Sequence, residues 1–109
     1  MLQNALKNIK KMSDEEKEIV YDHLLNVNDS DYTIRKTIEE LQELSLILTQ
    51  KLNKPDLIKD YKIIEEIGDV EIRMRILKQI FPKQLIKERI NFKLQKFYKY
   101  ITENKYKNI

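Results

Sequence analysis

The chain contains no cysteine and one histidine, His23, among its 109 residues. The absence of cysteine excludes a disulfide framework, a thiolate metal site and a cysteine nucleophile. A lone histidine excludes a histidine-rich zinc site and leaves no spare partner for a Ser-His-Asp triad. Any chemistry must therefore use carboxylates, lysines, arginines and hydroxyls.

Glycine and proline are nearly as scarce, with one glycine and two prolines, whereas Leu, Ile, Lys and Glu dominate. This composition favours long helices over a sheet of short strands and turns. We predict an all-α protein, an antiparallel bundle of four to five helices in a single domain spanning 1–109. Its core is expected at about 30–104, with an N-terminal helical segment at 1–28. A chain this short buries only a modest core, so we expect oligomerisation to complete the bundle.

Long apolar runs are also missing. The N-terminus has no apolar run of signal-peptide length. Nowhere do about 18 uncharged apolar residues, the length of a membrane span, follow one another. We therefore expect a cytoplasmic protein without a membrane partner. Residues 82–109 hold eight Lys or Arg against two acids, which leaves the first 81 residues at −3. The chain is thus an acidic body with a basic C-terminal helix. Its Lys-, Ile- and Asn-rich usage is typical of a low-GC bacterial or phage genome.

Capping residues and prolines predict where the helices begin and end. Ser13 and Glu16 form a capping-box pattern that starts a helix through "KEIVYDHLLNV", after a weak helical candidate at 2–12. Because Pro55 and Pro82 interrupt helices, three more are expected, from Asp31 or Tyr32 to about Lys51, from Asp56 to about Phe81, and from Pro82 to about Asn104. Gly68 costs about 1 kcal/mol relative to Ala inside a helix, so its presence predicts the close approach of another helix.

Two pairs of acids lie three residues apart on consecutive predicted helices, which puts each pair on one helical face. In projection Glu40 lies inside an apolar arc with Glu43 at its border, and Glu66 and Asp69 lie in a seam between two apolar stripes. A single such pair is usually a solvated face. Four inward-facing acids, however, require compensation, and an all-oxygen ligand set selects Mg²⁺ or Mn²⁺ over zinc.

The segments "EELQE" and "EEIGD" resemble the E-x-x-E and E-x-x-D motifs of the MazG-like all-α nucleoside triphosphate pyrophosphohydrolases, over about Thr33 to Ile101. This resemblance implies a dimeric or tetrameric helical bundle that hydrolyses nucleoside triphosphates to monophosphate and pyrophosphate. It also implies that Mg²⁺ is held by Glu40, Glu43, Glu66 and Asp69, and that an activated water attacks the α-phosphorus. Glu43 and Glu66 are the acids to which we assign catalytic roles, with Glu43 as the candidate base.

Basic side chains of the last helix are candidates for binding the phosphates. Lys93 is the first candidate, because it corresponds to a basic position that the resembled family uses near the phosphates, and Lys96 and Arg89 are the second and third. All three lie beside a stripe predicted to be buried, which comprises Ile86, Ile90, Leu94, Phe97 and Ile101. Lys36 shares the face of Glu40. A lysine beside an apolar stripe is more often simply extended along it toward solvent.

One other function class is open to these residues, and a further one is excluded. A non-catalytic helical module could bind a partner or nucleic acid through the basic C-terminal helix, although its cations are spread around the helix. A di-metal oxidase bundle requires Glu-x-x-His pairs, and none occurs. The preferred base and sugar stay open.

Overall fold

A computed structural model describes residues 11–104, which form four helices and no strand. The helices are α1 (Asp14–Val27), α2 (Ser30–Asn53), α3 (Asp60–Leu77) and α4 (Lys83–Thr102). The predicted all-α fold class is confirmed. Most of the weak helix predicted at 2–12 lies outside the described residues.

Side-chain caps fix the starts of the first two helices, and the capping box at Ser13 is the predicted one. Ser13 Oγ accepts a hydrogen bond from the Glu16 amide at 3.1 Å, and the Ser13 amide donates back to Glu16 Oε1 at 2.9 Å. Asp29 Oδ1 accepts from the Tyr32 amide at 2.7 Å and caps α2. Each cap satisfies amides that the first helical turn leaves without partners, so the start of each helix is fixed locally.

Helix α3 is shorter than predicted at both ends, which corrects the range from Asp56 to Phe81. Before it, residues 55–58 form turns, because the Lys51 ammonium donates to the carbonyls of Pro55 at 3.2 Å and Ile58 at 2.8 Å. After it, the Gln79 and Ile80 amides bond three residues back in tight turns. Pro82 disfavours helical geometry at the residue before it, so the chain bends there and α4 starts anew.

Helices α2 and α3 form the packed centre of the chain. Lys51 pairs with Asp60 at 3.3 Å near the connection between the two helices, and farther from the connection Glu40 faces Glu66. The two helices therefore run antiparallel. The buried or half-buried face of α2 recurs every three or four residues, at Thr33, Thr37, Glu40, Leu44, Ile47 and Lys51. This spacing is that of two helices packed along a common seam.

Helix α1 also packs on α3. The Arg75 guanidinium lies 3.9 Å from the centroid of the Tyr21 ring and forms a charge-assisted hydrogen bond to Glu18. A cation over an aromatic face and an ion pair therefore join α1 to the C-terminal half of α3.

Helix α4 lies apart from the other three helices. It makes almost no contact with the other three helices, and its stripe predicted to be buried is largely exposed, at 54% for Ile90, 58% for Leu94 and 55% for Ile101. The radius of gyration of 17.8 Å exceeds the roughly 13 Å of a compact chain of this length. The expectation of a stripe buried within the chain is wrong, because no helix of the described chain faces α4.

The interior of the chain is correspondingly small. Among the described residues Ile76 is the one buried large apolar side chain, beside the buried hydroxyls of Thr33 and Thr37. A Cβ placed on Gly68 would meet nothing within 4 Å, so the predicted close approach of another helix at Gly68 is wrong within this chain. No helix of residues 11–104 combines the length and apolar character that a membrane span requires.

Candidate metal centre

Three of the four predicted acidic ligands meet in the seam between α2 and α3. Glu40, Glu43 and Glu66 each offer a carboxylate oxygen, and these oxygens all lie within 4.8 Å of one another. Glu40 and Glu66 belong to the packed faces of the two helices, which is why antiparallel packing brings them together. Three carboxylates at this separation could hold a metal ion.

Two oxygens of this cluster are buried without compensation. The Oε2 atoms of Glu40 and Glu66 are shielded from solvent and accept no hydrogen bond. Glu43 is exposed as a residue, yet one of its carboxylate oxygens lies within 4.8 Å of oxygens of both other acids. Because buried polar oxygens in folded proteins nearly always have partners, the two orphaned atoms indicate a site that could bind a cation.

The electrostatics of the cluster agree with that indication. Burial raises the pKa of Glu40, and the neighbouring charge of Glu43 raises it further. Burial also raises the pKa of Glu66, again followed by the charge of Glu43. Desolvation and like charges both disfavour the ionised form of an acid. The cluster therefore favours bound protons, which a cation would displace.

Asp69 lies at the edge of the cluster rather than within it. The residue is exposed and is not part of the three-carboxylate group, although its charge raises the pKa of both Glu40 and Glu66. It follows Glu66 by three residues on α3, so it shares that helical face. Its position is that of a fourth acid reaching the same space from the solvent side.

The predicted phosphate-binding cations lie elsewhere in the chain. The ammonium of Lys36 pairs with Glu39 at 3.2 Å. On α4, each cation lies over a ring of its own helix, with Lys93 5.1 Å from Phe97, Lys96 5.7 Å from Tyr100 and Arg89 5.4 Å from Phe92. Within residues 11–104, none of these four cations forms an ion pair with the acid cluster.

Lys51 is a supporting residue that the sequence analysis did not single out. Its contacts to Pro55, Ile58 and Asp60 close the connection between α2 and α3 and so fix the register that places Glu40 opposite Glu66. A basic residue in the last turn of a helix, followed by a proline-containing turn, is the sequence signal for such a clasp, because its ammonium can reach the carbonyls of the turn.

Fold and site together define an all-α protein with a three-carboxylate cluster, held between two antiparallel helices, that could hold a metal ion. The chain matches no family model, and no curated protein or solved structure is significantly similar to it. The functional assignment consequently rests on the chemistry of this cluster and on the order and spacing of its motifs.

Proposed function

We propose that this chain is a Mg²⁺-dependent nucleoside triphosphate pyrophosphohydrolase, which converts a nucleoside triphosphate and water to a nucleoside monophosphate and pyrophosphate. The observation that carries the proposal is the convergence of Glu40, Glu43 and Glu66, with two orphaned buried oxygens, at the positions of the resembled motifs. A purely solvated acidic face would leave those oxygens in water.

The ligand set fits a hard divalent cation. All candidate donors are carboxylate oxygens, which suit Mg²⁺ and Mn²⁺ better than zinc. Glu40 and Glu66 would anchor the ion through the buried Oε2 atoms, with Glu43 and Asp69 completing the set from the open side. When bound, Mg²⁺ neutralises phosphate charge and lowers the pKa of a coordinated water.

The open side of the cluster is where the triphosphate would bind. Glu43 is exposed, so its carboxylate can accept a proton from an attacking water and return it to solvent. The water oxygen forms a bond to the α-phosphorus, the bond from that phosphorus to the bridging oxygen breaks, and pyrophosphate leaves. Phosphoryl chemistry needs chiefly positioning and charge stabilisation, which Glu66 contributes by holding the ion in place.

The proposed enzyme assembles from two or four copies. Large apolar side chains are exposed on every helix, and they include Leu41 and Ile67, next in sequence to the acids, and Leu94 on α4. A second copy would cover these surfaces and bring the α4 cations, Lys93 first, to the triphosphate held by its neighbour.

The test is to incubate the purified protein with each ribo- and deoxyribonucleoside triphosphate and Mg²⁺, and to assay monophosphate and pyrophosphate. We expect both products in equal amounts, loss of turnover in Glu66→Gln, and retention of it in the matched control Glu71→Gln, an exposed acid of the same helix. A folded wild-type protein that forms neither product from any nucleotide would refute the proposed activity.

A second candidate function is nucleic-acid binding by α4. This helix projects from the packed centre and exposes Phe92 at 57% and Tyr98 at 71%, with Arg89 over the Phe92 ring. Exposed aromatic rings beside cations suit stacking on single-stranded bases. A salt-sensitive gel shift with single-stranded DNA in EDTA, lost in Phe92→Ala with Tyr98→Ala, would favour this function over hydrolysis.

A further inference from the structure

Helix α2 carries a second stripe beside the face that packs on α3. Its positions repeat the alternating spacing of four and three residues, one residue later in the chain at every step. They are Ile34, Ile38, Leu41, Ser45, Leu48 and Leu52. Neighbouring residues lie about 100° apart around a helix, so the two stripes point to two different neighbours. Two such seams on one helix are typical of a helix within a four-helix bundle.

The second stripe is largely exposed, and α3 extends it. Leu41 is 44% exposed, and Leu52, at the end of the stripe, is 85% exposed. Because α2 and α3 run antiparallel, the residue after each seam position faces the same side of the pair on both helices. Ile64 and Ile67 are therefore on the same side as Leu41, and both are exposed. We call these two residues and the six of the stripe the outer face.

The outer face lies opposite the open side of the acid cluster. Glu43 follows Glu40 by three residues, which places it about 180° from the centre of the stripe in projection. Asp69 likewise lies on the far side of α3 from Ile67. A partner bound to the outer face would therefore leave the acids accessible to a nucleotide.

We propose that the outer face binds the outer face of a second copy, with the two α2 helices antiparallel. Two α2–α3 pairs stacked about a two-fold axis place α2 either antiparallel on the second α2 or on the second α3. The six positions of the stripe find an equal number on the second α2, whereas α3 contributes two. None of the six carries a charge, so the stripes meet without like-charge repulsion. The pairing forms three layers twice each, namely Ile34 on Leu52, Ile38 on Leu48, and Leu41 on Ser45.

The extent of the outer face favours this occupant over the other apolar surfaces of the chain. The stripe is about 27 Å long and the two helices together are about 20 Å wide. Two such faces bury on the order of 1,000 Å², which a specific interface requires. On α4 the same spacing runs only from Ile90 to Ile101, about 16 Å. The apolar groove between α3 and α4 bends at Pro82, so a straight stripe cannot follow it.

The inference specifies a surface for the self-association proposed above and rests on that self-association, but it does not depend on hydrolysis. Its tests need neither nucleotide nor metal. A protein that associates through the outer face yet hydrolyses no nucleotide would retain this inference and lose only the proposed activity. An active protein that associates through another surface would do the reverse.

The first experiment measures the dimer dissociation constant of the full chain by sedimentation equilibrium. We expect Leu48→Glu to weaken association by at least tenfold, because it places a charge within the interface. The matched control Leu46→Glu puts the same charge on α2 about 160° away, also at an exposed leucine, and should change association less than twofold. Both should keep the helical circular dichroism of wild type. A monomeric wild type, or a Leu48→Glu chain that associates like the control, would overturn the proposal.

The second experiment identifies the occupant by cross-linking, which is clean because the chain contains no cysteine. An equimolar mixture of Leu41→Cys and Ser45→Cys, oxidised mildly, should form a disulfide-linked dimer with one chain of each kind, since a disulfide requires close Cα atoms. The control mixture of Ser45→Cys and Leu46→Cys should form little. A greater yield from Ser45→Cys with Leu94→Cys on α4, or with Leu85→Cys in the groove, would overturn the proposal in favour of that surface.

Discussion

Substituting Glu66 by Gln should have opposite effects on stability with and without metal. Its carboxylate lies within 4.8 Å of ligand oxygens of Glu40 and Glu43. Two unit charges at that distance repel by about 1 kcal/mol in bulk water and by about 3.5 kcal/mol at an effective dielectric constant of about 20. The amide of Gln is nearly isosteric and donates a hydrogen bond to a neighbouring carboxylate. We expect the metal-free variant to be about 1 to 3 kcal/mol more stable than wild type at pH 7.

Metal should reverse this order. With Mg²⁺ at 1,000 times its dissociation constant, the wild type gains about 4.1 kcal/mol, a rise of roughly 15 to 30 °C in Tm for a domain of this size. Glu66→Gln should gain little, whereas the control Glu71→Gln should gain as much as wild type. The assay is thermal and urea unfolding in EDTA and in Mg²⁺. A metal-free Glu66→Gln that is less stable than wild type would refute the assigned repulsion.

The difference in stability between metal-free Glu66→Gln and metal-free wild type should depend on pH. Because the pKa values of Glu40 and Glu66 are raised from 4.5, the native state binds more protons than the unfolded state at pH values above 4.5. The stabilisation due to those protons is complete below pH 4.5 and is lost as pH rises through the raised pKa values. The advantage of the metal-free variant should therefore be larger at pH 7 than at pH 4.5. An advantage that does not change with pH would contradict the assigned pKa directions.

Three further substitutions test separate parts of the chain. Gly68→Ala should raise the unfolding free energy of the dilute protein by about 1 kcal/mol, since its Cβ meets nothing, and a loss in urea titrations would mean that another chain packs there. Ser13→Ala should cost about 1 kcal/mol and speed amide exchange in α1 before α3, whereas uniform acceleration would contradict a local cap. If α4 cations act on the neighbouring copy, an equimolar mixture of inactive Glu66→Gln and inactive Lys93→Ala should regain about a quarter of wild-type activity. Half of the two-fold dimers are then mixed, and each mixed dimer has one intact site of two. No recovery would place the site within one copy.

Local chemistry made the first half of the fold predictable. The capping box at Ser13 is satisfied by backbone atoms within three residues, so sequence alone locates the start of α1, whereas α2 begins at Ser30, slightly before the predicted Asp31 or Tyr32. The inward direction of Glu40 is also a local property, because it follows from the helical periodicity of α2. The convergence of Glu40 with Glu66 needed one tertiary assumption, antiparallel packing across a short connection, which the structure bears out.

The misjudged features depend on what surrounds the chain. An apolar stripe on α4 predicts that something covers it, but periodicity does not say whether the cover is the same chain, and here the stripe is exposed. Gly68 poses the same ambiguity, because a missing Cβ permits close approach without identifying the neighbour. The end of α3 was overestimated since the turns at Gln79 and Ile80 interrupt a helical pattern that the sequence continues to Phe81.

The acid cluster and the exposed apolar faces impose a common energetic requirement. A domain of this size is typically stable by about 5 to 15 kcal/mol. This chain buries one large apolar side chain among its described residues and holds three acids together. Anything that binds only the folded pair α2–α3 stabilises it by mass action, whether a cation in the seam or a second copy on its outer faces. If the second copy binds the metal-loaded pair better than the metal-free pair, linkage requires it to raise metal affinity by the same factor. Association measured in EDTA and in Mg²⁺ should then differ in the wild type and coincide in Glu66→Gln, which cannot close the seam around an ion.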